Sequence, residues 1–379
     1  MEELIISTMF GTPIIRFCYK RVAKPIFFRQ DPEDTHDRVL GMGKLFSRSR
    51  LIRKATEFKL SYQHPMLEQD ILGIHFRNPV GLTAGFDKNA ELTKIMPAVG
   101  FGFMQIGSIT GEPCEGNPKP RLWRLPKSQG LVVYYGLKND GSEAIAERLK
   151  NQKFEIPVST SVAKTNSADT VELNAGINDY AKAFRLLANI GDMTTVNISC
   201  PNTHGGEPFA DPVRLEVLLT ELDKIETSKP TFIKIACDIS TDELDALHAV
   251  ADNHRVNGFI LTNLTKQYDQ PTIHRDEIEG INKGGVSGKP TYEASNNLIS
   301  HLYKIAGDRY VIIGVGGIFN ANDAYEKIVR GASLVQLATG MIFEGPQVIG
   351  EINKGLVELL RRDGFANISE AVGSKHRKL

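Results

Sequence analysis

From residue 79 onward the chain repeats one unit: a short β-branched burst, a polar or glycine-rich corner, then a helical stretch. The bursts are Pro79–Thr83, Phe103–Ile106, Leu131–Tyr134, Pro157–Val162, Thr194–Ile198, Thr231–Ile235, Gly258–Leu261, Tyr310–Gly314 and Leu334–Leu337. Several are unbroken apolar runs, as parallel strands buried on both faces require. Helical patterns separate them at Ser142–Lys150, Asn178–Asn189, Leu215–Glu226, Asp242–Asn253, Tyr292–Ala306 and Asn322–Arg330. Such alternation predicts a parallel sheet, open or closed.

The polar residues choose between these forms. They sit just after the bursts, in AGFDK (84–88), GSIT (107–110), NISCPN (197–202), KIACD (234–238), TNLT (262–265) and GVGG (314–317). An open doubly wound sheet gathers its chemistry at one switch point. Chemistry after nearly every strand instead predicts a (β/α)₈ TIM barrel, whose site lies at the carboxyl ends of its strands. Nine bursts for eight strands make one an insertion, and Leu131–Tyr134, after the proline-rich stretch 113–126, is the candidate. The turn at His64–Pro65 divides the chain into an N-terminal helical segment, 1–62, and the barrel, 63–379.

Forty-five basic and 45 acidic side chains cancel over the 379 residues, which argues against a nucleic-acid binder. The cancellation is uneven. Residues 1–60 hold twelve Lys/Arg against seven Asp/Glu, a net +5 that leaves −5 for the rest. The apolar run Leu4–Ile15 is well short of the ~20 residues that span a bilayer, and it follows Glu2 and Glu3 rather than a basic region. A basic, apolar segment of this kind suits either helices lying in a membrane interface or ordinary helices packed on the barrel. Four cysteines, Cys18, Cys114, Cys200 and Cys237, are too dispersed for a disulfide framework and have no zinc spacing.

GVGGI (314–318) is a strand that ends in glycines where a barrel places its phosphate cradle, near the seventh and eighth strands. No G-x-G-x-x-G follows, so a Rossmann dinucleotide site is unsupported. In NISCPNTHGG (197–206) two amides, Asn197 and Asn202, flank the Cys200 thiol. They can orient a planar hydrogen-bonding substrate beside one ionisable group. An isolated buried Cys is usually inert packing; the flanking amides and the strand-end position favour function here. Lys88 and Lys234 fall at the rim or interior, where a cation needs a partner such as an anion or an electron-rich ring. For Lys88 a salt bridge to Asp87 is the competing explanation. Together with Asn263 these residues suggest an anionic flavin-type cofactor and a small polar substrate. No H-E-x-x-H or G-x-S-x-G occurs, which removes metallohydrolase and serine-hydrolase readings.

AGFDK, GSIT followed by GNPKPRLWRLP, NISCPNT, KIA, TN, GGVSGKP, IIGVGGI and GASLVQLATG resemble dihydroorotate dehydrogenase in order and spacing. KPIFFRQDPEDTHDRVL is similar to the membrane-associated, quinone-reducing class 2 enzymes, and the likeness covers roughly residues 20–375. The resemblance implies FMN-dependent oxidation of dihydroorotate to orotate in pyrimidine biosynthesis, with electrons passed to a quinone through the N-terminal helices. It implies peripheral attachment to the cytoplasmic face of a membrane, or to the inner mitochondrial membrane in a eukaryote. Residue by residue, Cys200 falls on the catalytic base, and Lys88, Asn197, Asn202 and Asn263 on the substrate contacts. FMN contacts fall on Ala84, Gly85, Lys88, Ser108, Ser161, Asn197, Lys234, Thr262, Gly288, Gly316, Gly317, Ala338 and Thr339.

The sequence departs from that pattern at several points. Cys200 resembles the class 1 base where class 2 has Ser, and THGGEPFADP (203–212) lacks the Gly-Leu-Arg of class 2. Val133 and Tyr134 stand where the family has Asn and Arg, and Leu264 where it has Thr or Ser. Ser161 replaces an Asn and Ala338 a Tyr. Lys138 and Asn139 are the nearby groups able to compensate. An alternative is therefore an FMN-dependent barrel oxidoreductase of another small cyclic substrate. A catalytically silent flavin- or phosphate-binding barrel is disfavoured by the retained Lys88, Asn197, Cys200, Asn202 and Asn263.

Overall fold

The computed structural model describes residues 12–377. Eight parallel strands close a barrel in chain order: Val80–Leu82, Phe103–Thr110, Val158–Ala163, Met193–Asn197, Thr231–Ile235, Gly258–Leu261, Val311–Val315 and Leu334–Leu337. Closure is made by the last strand pairing with the first, Val335 opposite Val80. The (β/α)₈ expectation holds, and Leu131–Tyr134 is the insertion. It forms Gly130–Val133, the middle of an antiparallel three-stranded sheet with Leu122–Leu125 and Gly285–Gly288. Those two outer strands are absent from the sequence reading, being too short for a period to show.

The inward rows of the strands explain where the site lies. Side chains two apart share a face, so Phe103 and Gln105, Met193, Thr195 and Asn197, Phe232 and Lys234, and Leu334 and Gln336 form inward ladders. Each ladder runs from apolar to polar along the strand. Phe76, from a hairpin of Gln69–Ile71 and Ile74–Phe76, meets the ring of Phe103 edge-on with centroids 5.5 Å apart, and Met193, Phe232 and Leu334 join them in one buried cluster. That plug closes the amino end. The polar layer above it is knitted by Gln105 Nε2 donating to Thr195 Oγ1 at 2.7 Å and by a hydrogen bond of 3.0 Å between the Ser159 and Thr195 hydroxyls.

Some boundaries move. The second strand runs on to Thr110, so GSIT lies within it rather than after it. The helices expected from Asn178 and Leu215 begin at Leu173 and Pro212, where the Glu172 and Asp211 carboxylates cap them.

The N-terminal helices include Thr12–Cys18, Lys24–Phe28, Pro32–Arg48 and Arg50–Leu60. Asp31 starts the third by accepting from the Glu33 and Asp34 N–H groups, with Pro32 at its first position. The buried Glu33 carboxylate grips Arg121 at 2.7 Å, and Tyr19 donates to the Ile342 carbonyl at 2.6 Å. These contacts seat the segment over the carboxyl end of the barrel. Its other face stays apolar and open: Ile14, Phe17, Leu45, Leu51 and Phe58 are each more than half exposed. No described helix is long and apolar enough to cross a membrane. The part of the run Leu4–Ile15 before Thr12 lies outside the described residues.

Candidate active site

One cavity opens at the carboxyl end of the barrel, under the N-terminal helices and the three-stranded sheet. Lys88, Asn197, Cys200, Asn202 and Asn263 all line it. So do Ala84, Gly85, Ser108, Lys234, Thr262, Gly288, Gly316, Gly317, Ala338 and Thr339. Ser161 does not. It is fully buried behind the wall, with its Oγ 2.7 Å from that of Ser108. Its hydroxyl supports Ser108 rather than facing the cavity.

The amides are held by partners that leave them little freedom. Asn197 Nδ2 donates to Ser108 Oγ at 2.9 Å, and its Oδ1 accepts from Ser199 Oγ at 2.9 Å. Asn263 Nδ2 donates to the Ser199 carbonyl at 2.6 Å, and Asn202 Nδ2 to the Val133 carbonyl at 2.8 Å. Ser199 thus ties two amides together, a role its place inside NISCPN did not reveal. Val133 and Leu264 line the cavity as apolar walls, whereas Tyr134 is not part of the lining and lies under Lys283. Of the two compensating groups, Lys138 reaches the lining. Asn139 is turned away, donating to Thr110 Oγ1 at 2.7 Å and to the Leu137 carbonyl at 2.8 Å.

Lys88 is not paired with Asp87. The Asp87 carboxylate accepts from the Glu91 and Leu92 N–H groups, both at 2.8 Å, and caps the turn that carries Lys88. Lys88 Nζ instead donates to His36 Nε2 at 3.3 Å and lies 4.0 Å from the centre of the Tyr135 ring. Burial pulls the ammonium down to about 8. Burial, with Lys88 beside it, pulls His36 down to about 3, so the imidazole is neutral and can accept. His36 and Tyr135 are site residues that the sequence reading missed. His36 lies within the HDRVL stretch, but nothing in the chain order shows that this helix crosses the cavity.

Lys234 is buried, and its Nζ meets the Thr83 hydroxyl at 3.3 Å; no carboxylate pairs with it among the described residues. Burial lowers it to about 8. Gln336 lines the same cavity with neither its Oε1 nor its Nε2 partnered. Gly316 and Gly317 adopt φ of +118° and +70°, and a Cβ on Gly317 would stand 2.5 Å from Tyr292 Cβ. A flavin phosphate fits this glycine cradle, and an electron-rich ring fits the unpaired Lys234 and Gln336. Burial raises the Cys200 thiol to about 11.

An eight-stranded barrel with a glycine cradle, a buried lysine without a carboxylate partner among the described residues and an amide–thiol cluster fits a barrel oxidoreductase of the flavin-binding type. A family model described as dihydroorotate dehydrogenase matches residues 66–360. Curated proteins named dihydroorotate dehydrogenase (quinone) are similar over nearly the whole chain. That of Gloeobacter violaceus is 38% identical over 354 residues, covering 93% of this chain and 98% of its own. That of Natronomonas pharaonis is 36% identical over 355 residues, with the same two coverages. The crystal structure of Eimeria tenella DHODH in complex with ferulenol superposes with a TM-score of 0.80 at 30% identity, over 92% of this chain and 96% of that one. The chain belongs to the dihydroorotate dehydrogenase family.

Proposed function

We propose that this protein oxidises dihydroorotate to orotate with FMN and passes the electrons to a quinone. The observation that carries the reading is the convergence of Lys88, Asn197, Cys200, Asn202 and Asn263 on one cavity beside the glycine cradle. Relatives named for quinone-linked activity along more than nine-tenths of the chain support it. FMN would be held by Ala84, Gly85, Ser108, Lys234, Thr262, Gly288, Gly316, Gly317, Ala338 and Thr339. Bound there, it would supply the two-electron acceptor for the substrate carbon.

The rest falls to the side chains. The protonated Lys88 neutralises the substrate carboxylate and touches both ligands. Asn197, Asn202 and Asn263 fix the ring by its amide edges, in a wall too tightly hydrogen-bonded to reorient. Cys200 takes the proton from the ring carbon next to the one that is oxidised. Lys234 would hold a cation beside the bound flavin ring, where it favours electron uptake. We further assign residues 1–62 to quinone access and peripheral membrane attachment, and residues 63–379 to the catalytic barrel. The open apolar face of the helices, bordered by basic residues, supports that assignment.

Anaerobic titration of the purified flavoprotein with dihydroorotate, followed at the flavin absorbance, tests the reading. Bleaching, with recovery on adding a quinone, is the expected result; an unreduced flavin at millimolar dihydroorotate overturns it. The apolar walls at Val133 and Leu264 favour one second reading, the same flavin barrel acting on another cyclic imide or dihydropyrimidine. Leu264→Thr separates the two. For dihydroorotate it should restore a hydrogen bond of about 1 kcal/mol and lower KM several-fold; for a substrate matched to leucine it should raise KM.

A further inference from the structure

The loop that carries Cys200 turns back on itself. Gly205 and Gly206 take φ of +77° and +69°, the Gly206 N–H donates to the Thr203 carbonyl at 3.0 Å, and Thr203 Oγ1 donates to the Gly206 carbonyl at 2.8 Å. Two successive left-handed residues suit glycine alone, and they return the chain so that Glu207 comes to lie behind Cys200. Just beyond, the buried Phe209 packs edge-on against Tyr180 at 5.3 Å, and Tyr180 donates to the Asn197 carbonyl at 2.7 Å. Glu207 is therefore fixed at both ends of its short segment.

A second, much smaller cavity lies there. Glu207, Lys164 and Tyr180 line it, and it has room for about one water. Cys200, Asn197 and Leu137 line both this cavity and the large one, so they form the partition between the two. The thiol thus stands between the substrate chamber and a pocket containing a carboxylate. Among the described residues no hydrogen bond or ion pair occupies that carboxylate. Lys164 is committed elsewhere, donating to the His204 carbonyl and to Thr170 Oγ1, both at 3.1 Å. The other charges that act on Glu207 are Lys266, which opposes its protonation, and Asp238, which favours it.

We propose that Glu207 is the proton acceptor behind Cys200, the group through which the base exchanges its proton with solvent. This rests on the reading of Cys200 as the base. As Cys200 Sγ takes the proton of the substrate carbon, the proton it already carried passes to the Glu207 carboxylate through a water in the small cavity that both groups line. The hydride from the neighbouring carbon goes to the flavin, the ring double bond forms, and Glu207 then releases its proton to water. The thiol regains its starting state, and one proton leaves for each substrate oxidised. Glu207 acts through Cys200 and does not touch substrate. Burial raises its carboxyl to about 7, which suits a group that must gain and lose a proton near neutrality.

Two measurements on the full-length flavoprotein test this, with Glu207→Gln and the conservative Glu207→Asp. The first is the pH dependence of Cys200 alkylation by iodoacetamide, read by mass spectrometry of the Cys200 peptide. An ionised Glu207 holds the thiol pKa up, so Glu207→Gln should be alkylated about threefold faster near pH 8.5 and should lose the inflection near 7. The second is flavin reduction by dihydroorotate in anaerobic stopped flow. The wild-type rate should rise with pH through about 7. Glu207→Gln should be slower by about tenfold and flat there, with Glu207→Asp restoring the rise.

Superimposable alkylation profiles overturn the proposal whatever the substrate is. A shifted alkylation profile with an unchanged rate profile overturns the relay and leaves Glu207 as an electrostatic neighbour only. If dihydroorotate fails to reduce the wild-type flavin, it is the functional reading that fails. The alkylation profile then decides the Glu207–Cys200 pairing by itself.

Discussion

Lys88 Nζ donates to His36 Nε2 at 3.3 Å, joining the first barrel corner to the N-terminal helix Pro32–Arg48 across the mouth of the cavity. Desolvation lowers the proton affinity of both groups, and the Lys88 charge lowers that of His36 further. One contact therefore ties the chamber that would hold substrate to the segment that would admit the quinone.

The first prediction concerns pH. Lys88 sits at about 8 in the folded protein, below its ordinary 10.5. Below about 8 the ammonium is present in both folded and unfolded chains, and the penalty for burying it is at its full value. As pH rises from 8 to 10.5 the folded protein sheds the proton first and stability rises. An anionic ligand has the opposite preference because it needs the ammonium. Orotate affinity, read from the flavin difference spectrum, should be flat below about 8 and fall by about tenfold per pH unit above it. His36→Ala should move that break upward by removing part of the desolvating wall.

Among the described residues Lys234 has no carboxylate partner to leave behind, so its replacement reports on the cofactor directly. Lys234→Gln should weaken FMN by about 10–100-fold, the loss of one charge-assisted hydrogen bond. Fluorescence of FMN released on dilution measures it, and retention of the full flavin complement would remove Lys234 from the cofactor site.

Two glycines with nearly equal φ separate backbone strain from crowding. Gly317→Ala faces both, since its Cβ would lie 2.5 Å from Tyr292 Cβ, whereas Gly73, at φ +76° in the hairpin turn, has nothing within 4 Å. Gly73→Ala should cost about 1 kcal/mol, and Gly317→Ala about 1–3 kcal/mol more. Thermal unfolding should rank them in that order, with FMN lost only from Gly317→Ala.

The exposed face of the N-terminal helices gives a fourth test. Leu51 is 81% exposed and Phe58 55%. Charging both, as Leu51→Glu with Phe58→Glu, should reduce sedimentation with anionic phosphatidylglycerol vesicles by about tenfold or more. Flavin reduction by dihydroorotate should be unchanged, because neither residue lines the cavity.

The barrel was legible because its evidence is local and repeated. Gly258–Leu261, Leu334–Leu337 and the helix Tyr292–Ala306 coincide with their sequence expectations at both ends. Buried parallel strands must be apolar runs, and any side chain beyond a strand's carboxyl end must be usable at the rim. The charge asymmetry was equally visible: the basic stretch 1–60 supplies the helices that cap the site.

What only the tertiary structure decided are meetings between distant positions. Gln336 reads as one polar residue in an apolar run until the barrel closes and leaves its amide unpartnered in the cavity that Lys234 also lines. Asp87 adjoins Lys88 in sequence, yet local backbone N–H groups take its carboxylate, and the ammonium finds His36, 52 positions away. Ser161 falls on the right strand but stops one layer behind the cavity. Side-chain type and strand period are properties of a few neighbouring residues, and the sequence by itself determined them. Partnership and burial depend on which elements close over one another, and that was settled only when the eight strands met.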